Sequence, residues 1–104
     1  MAMVEEHMDE LIRTAIGNKQ LVEFTYGGRR RVAEPHVYGV LRGKYQLLTY
    51  QVGGESSSGG LPNWRRVDLS GISGLRLLDE HFPGPRPSPS GRQSKFDTVL
   101  AVVE

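Results

Sequence analysis

The chain has no cysteine. That excludes a disulfide framework, a thiolate nucleophile and any cysteine-ligated zinc or iron–sulfur centre, and it fits a reducing compartment. No apolar run approaches the ~20 residues that a membrane helix needs. The opening segment, MAMVEEHMDE, lacks the basic n-region and apolar h-region of a secretory signal, so a bacterial cytoplasmic location is the expectation. Catalytic signatures are missing as well. The three histidines, His7, His36 and His81, stand at no metal-ligand spacing, and the serines gather in loop and tail sequence without a nucleophile-elbow pattern. The glycines punctuate strands and do not form a phosphate-binding loop ahead of a helix. The expected class is therefore not an enzyme and calls for no cofactor or metal. A hydrolase pairing His36 with Asp68 is the weakest of the available readings.

What is present is one small domain of 104 residues with an uneven charge. Residues 1–18 carry one basic residue, Arg13, against Glu5, Glu6, Asp9 and Glu10, a net of −3. From Lys19 to Arg76 nine basic residues face four acidic ones, a net of +5. Such asymmetry favours an anionic partner for the middle of the chain.

Val4, Met8, Leu11, Ile12, Ala15 and Ile16 follow the 3.6-residue period, with acidic residues in the first turns and Gly17-Asn18 as the stop, which predicts an amphipathic helix. From Leu21 the period falls to two. Val22, Phe24 and Tyr26 share one face of a first strand, and Gly27-Gly28 permits a tight turn into a second strand. That strand must accommodate Glu34-Pro35 by an edge, a bend or a bulge, because proline lacks the amide proton. Arg42-Gly43 turns into a third strand, GKYQLLTY. A polar loop, residues 53–62, leads to a fourth strand from Asn63 and a fifth at Leu75. The expected fold is mainly β with one N-terminal α-helix, a small five-stranded barrel that hides its edges by closure. Residues 83–94 hold four of the six prolines and read as a linker. Residues 95–104 are apolar enough to dock as a strand or a short helix, and periodicity does not choose between them.

The order of the motifs LVEFTY, VAEPHV, GKYQLLTY and WRRVDLSGISGLRLLDEHF resembles the WYL domain over roughly residues 9–82. The resemblance implies an Sm-like or SH3-like barrel, helix included, over residues 1–82. Such modules usually follow a winged helix-turn-helix in bacterial transcription regulators. Pro35 matches the proline of the second motif, Arg65 an arginine ahead of a strand and Phe82 the closing phenylalanine, while Tyr45, Gln46 and Leu47 fall on the naming tripeptide. Asp68 and Gly71 stand where the family carries arginines.

The candidate ligand-binding residues are Arg31, His36, Tyr45, Trp64, Arg65 and Arg66. Guanidinium groups bind phosphate or carboxylate through two parallel hydrogen bonds, and indole or phenol rings stack on a base. The first expectation is a WYL-like ligand-sensing or regulatory domain linked to transcription regulation, binding a nucleotide or single-stranded nucleic acid. The second is a protein-interaction or oligomeric scaffold module that contacts a homo-oligomer mate or partner regulator through the N-terminal helix or the C-terminal segment. Neither involves a membrane.

Overall fold

The computed structural model describes residues 6–55, 60–87 and 96–104. Helix α1 (Glu6–Asn18) leads into an antiparallel sheet of six strands: β1 (Gln20–Tyr26), β2 (Arg29–Leu41), β3 (Lys44–Gly54), β4 (Asn63–Asp68), β5 (Ile72–His81) and β6 (Thr98–Val102). A single 3-10 turn, Leu69–Gly71, joins β4 to β5. Val4 of the expected helix lies outside the described residues. The helix ends at Asn18, within the expected Gly17-Asn18 stop, and Lys19 just beyond it takes the left-handed conformation with φ of 57°. Its amide donates back to the carbonyl of Ile16, closing the helix in the manner of an αL cap.

Two-residue turns with positive φ at both positions make the first two hairpins, Gly27-Gly28 (61° and 74°) and Arg42-Gly43 (52° and 77°). This turn type matches the natural strand twist. Arg42 adopts it without glycine's freedom, and its amide is held by the Asp97 carboxylate at 2.7 Å.

The strand order is β4-β3-β2-β1-β5, with β6 also paired to β2. Among the described residues the sheet is not closed, and it has six strands where five were expected. The sixth is the C-terminal segment. Along one edge of β2, β1 pairs as far as Val22↔Ala33, and β6 takes over from Val37↔Val102 to Val40↔Thr98. Pro35 falls in the gap between them, beside a shift in the β2–β3 register between Pro35 and Val37. Of the edge, bend or bulge expected at Glu34-Pro35, the structure has a break in register on β3 and a change of partner on the other edge, and a proline without an amide proton suits the gap.

The main core lies between α1 and the sheet. Ile12, Ala15 and Ile16 of the helix are buried with Val22, Phe24, Ala33, Leu47, Val67 and Ile72. Tyr38 is fully buried, and its hydroxyl donates to Asp9 of α1 at 2.7 Å. This bond leads the interactions that hold Asp9 below the usual carboxylate range, while burial and the same carboxylate push Tyr38 up. A second, smaller cluster on the other face of β3 joins Val37, Leu48 and Trp64 with Tyr50 and Phe96. Leu47 and Tyr45 serve the main core, and Leu48 and Tyr50 the second cluster, so period-two alternation in β3 feeds both. No helix among the described residues is long and apolar enough to cross a membrane.

At Gly39 the backbone of β2 leaves no room on the side of β6. A β-carbon there would press on the Thr98 carbonyl and lie 2.7 Å from the Phe96 ring. Gly39→Ala is expected to cost about 1–3 kcal/mol by overpacking, measured by chemical denaturation, with faster amide exchange across β6 than in β3. Equal exchange in both strands would refute the steric role.

Candidate functional site

The alternation of β4 sends its residues to two faces. Trp64 pairs with Tyr50 and Arg66 with Leu48 on one, whereas Arg65 pairs with Thr49 and Val67 with Leu47 on the other. The six candidate residues therefore do not converge on one place. Arg31 and Arg65 belong to one face. Trp64 and Arg66 belong to the opposite one, where His36 stands against Trp64. Tyr45 is half-buried against the main core with its ring 6.4 Å from Tyr38, across the sheet from Trp64.

On the first face, Arg31 is half-buried. Its Nε donates to the Tyr26 carbonyl at 3.3 Å and its Nη1 to Gln51 Oε1 at 3.2 Å, while its guanidinium stands 5.4 Å from the Tyr26 ring. Gln51 is itself buried and anchored, its amide donating to the Gly53 and Glu55 carbonyls. Burial first, then the positive charges of Arg65 and Arg29, lower the Arg31 pKa. Arginine nevertheless stays protonated. All its acceptors among the described residues are neutral, and its Nη2 donates to none of them. Arg30 differs: it pairs with Glu23, which also takes Arg76 at 2.7 Å. Gly71 lies beside this face, and a β-carbon there would sit 2.7 Å from the Tyr26 ring. An arginine side chain at this position would have to displace that ring.

The opposite face holds a cluster that the sequence reading missed. Glu34, 3% exposed, receives Arg86 in a bidentate pair, Nε to Oε1 at 2.6 Å and Nη2 to Oε2 at 2.7 Å. His36 Nε2 lies 3.1 Å from the same Oε1. Burial lowers the His36 pKa, more than the hydrogen bond and charge of Glu34 raise it. A carboxylate paired with a guanidinium can only accept, so in this contact Nε2 is the donor. The expected partner Asp68 instead accepts from Gln46 at 2.7 Å. His36 packs at 4.9 Å against Trp64 and 5.2 Å against Phe82, and Trp64 at 5.2 Å against Tyr50. Trp64 is 7% exposed, so its ring is a wall, not an open stacking platform. Arg66 stands 4.4 Å from the Phe96 ring and donates to Gln46 at 3.1 Å. A signal for the cluster existed in the sequence: Glu34 interrupts an otherwise apolar stretch of β2, and a carboxylate there needs a cation.

A shallow groove of about 270 Å³ runs between α1 and the start of β5, lined by His7, Met8, Leu11 and residues 72–75. It contains none of the candidate residues. No group of three potential metal ligands occurs among the described residues. Comparison with family models, curated proteins and solved structures finds no match for this chain.

The His36 arrangement has a signed consequence. Its folded pKa lies below the unfolded value near 6.5, so below that pH the unfolded chain binds more protons and stability falls. Unfolding free energy, measured by chemical denaturation across pH, should be level above about pH 7 and decline towards pH 5, with a slope of at most about 1.4 kcal/mol per pH unit for one proton. Asp9 and Glu23, both lowered, add a separate loss only below about pH 4. His36→Phe should flatten the upper decline; an unchanged profile would assign it elsewhere.

Proposed function

We propose that the chain is a small regulatory, WYL-like domain of SH3-like barrel type whose Arg31–Arg65 face binds an anionic ligand, a nucleotide or single-stranded nucleic acid. The observation that carries this reading is the state of Arg31. Its guanidinium is half-buried, bonded to neutral oxygens, pressed by the charges of Arg65 and Arg29, and has donors to spare. A phosphate would relieve the crowding of positive charge and supply the missing acceptors. The Tyr26 ring beside it offers a planar apolar neighbour. The barrel reading is supported by the strand order, which puts β4 and β5 at the two ends of the sheet while the 3-10 turn joins them directly. The Tyr26 hydroxyl braces that corner by accepting the Asp68 amide at 3.2 Å. The link to transcription regulation rests on the motif resemblance.

Binding of a short single-stranded oligonucleotide, followed by fluorescence anisotropy, should weaken with salt at a logarithmic slope of about −0.7 per phosphate contacted. Arg31→Ala and Arg65→Ala should each lower affinity about tenfold and reduce that slope by one contact. Arg66→Ala, on the other face, should leave both unchanged. Salt-independent binding, or equal losses from all three substitutions, would sink the reading.

Self-association is the second reading, favoured by one feature: Val99 and Val102 of β6 are 53% and 52% exposed. Of the two surfaces first considered, the helix buries Ile12, Ala15 and Ile16 in its own core, which leaves β6 as the stronger candidate. Light scattering should then show a dimer that Val99→Lys converts to monomer, and a monomeric wild-type chain would exclude it.

A further inference from the structure

Glu34 lies in mid-strand on β2, almost wholly removed from water. A carboxylate in that position carries a desolvation penalty that only a cation and well-aimed hydrogen bonds offset. Both are supplied, but from parts of very different character. The receiving side is built into the sheet: Glu34 and His36 on β2, Tyr50 on β3 and Trp64 on β4, with Phe82 closing the row. The cation comes from outside the sheet. Arg86 belongs to the irregular stretch between β5 and β6, follows Gly84 with φ of 140°, and is flanked by Pro85 and Pro87. Its side chain remains 38% exposed, and its guanidinium lies 4.8 Å from the Tyr50 ring.

We propose that Glu34, His36 and Tyr50 form a guanidinium-binding notch, occupied here by the chain's own Arg86, which accepts the arginine of an extended, proline-flanked segment of another protein once Arg86 withdraws. Three features fit that chemistry. The two Glu34 oxygens are each engaged by a separate guanidinium nitrogen, a fork geometry that arginine meets and lysine does not. The Tyr50 ring adds a cation–π contact to the exposed side of the group. The carboxylate has a second holder, because His36 Nε2 lies 3.1 Å from one of its oxygens independently of the strand-free segment that carries Arg86. Withdrawal of Arg86 breaks no strand pairing, since residues 83–87 take part in none. The notch and the Arg31–Arg65 face lie on opposite sides of β3 and β4, so each can be tested without the other.

The test uses the Arg86→Ala chain with two probes, methylguanidinium and a peptide with the sequence of residues 83–87. Trp64, the sole tryptophan, is the fluorescence reporter in the wall of the notch. Methylguanidinium should saturate with a Kd on the order of 10 mM, and the peptide should bind at least about tenfold more tightly. The lysine counterpart of the peptide should bind about tenfold more weakly than the arginine form. Adding Glu34→Gln should abolish saturation, and the wild-type chain should respond less than Arg86→Ala because its own arginine competes. If Arg86→Ala is unfolded, recovery of its fold on adding methylguanidinium is the expected result, and failure to recover overturns the proposal. So would a linear, unsaturable response, or equal binding of the lysine peptide.

Discussion

Because Pro35 has no amide proton, β2 cannot carry an unbroken hydrogen-bond ladder past it on the edge it shares with β1. The strand meets this by changing partner: β1 serves the residues up to Ala33 and β6 those from Val37 onward, while β3 follows the other edge nearly from end to end. This exchange makes room for the C-terminal strand and bends β2 at the point where Glu34 and His36 turn away from water. It also brings the chain end back to the sheet, where the Val103 amide donates to the His36 carbonyl and the Asp97 amide to that of Val40. The second apolar cluster draws on the same returning segment, since Phe96, two residues ahead of β6, packs against it.

The two faces of the β3–β4 hairpin use charge in opposite ways. On one, a guanidinium is held by neutral oxygens next to further positive charge, which leaves it able to attract an anion. On the other, a carboxylate is sunk among aromatic rings and already matched by a guanidinium. Electrostatic interactions strengthen as water is excluded, so the Glu34 pair is the more consequential for the folded chain and the Arg31 group the more available to a solute. The consecutive arginines Arg65 and Arg66 fall on different faces for the elementary reason that a strand has a period of two.

Much of this was legible in the chain. The helix, the two glycine-containing turns, the irregularity at Pro35 and the inward direction of Leu47 follow from local rules of periodicity and backbone freedom. GKYQLLTY reads as ambiguous because hydrophobic side chains leave it in both directions, and the structure supplies a core for each: Tyr45 and Leu47 on one side, Leu48 and Tyr50 on the other. Gln46 is tolerated because Asp68 and Arg66 both hydrogen-bond to it. The candidate binding residues were legible as types, not as a group. Trp64 looked like a stacking surface, yet in three dimensions it is enclosed by His36 and Tyr50. Arg86 sat unnoticed in a proline-rich stretch because nothing local announces a partner more than fifty residues earlier in the chain.

Local rules were enough for the helix, for the two tight turns and for the irregularity at Pro35, since those features depend on a few neighbouring residues: glycine at positive φ, proline without a donor, alternation at period two. Those rules did not place the start of β5, which begins at Ile72 and not at Leu75. Only the tertiary structure decided that residues 98–102 form a strand, that Arg31 and Arg65 share a face which Arg66 does not, and that Glu34 is matched by Arg86. Each of these depends on contacts between distant parts of the chain, set by which edge of β2 was vacant and by the need of a buried charge for its counterion.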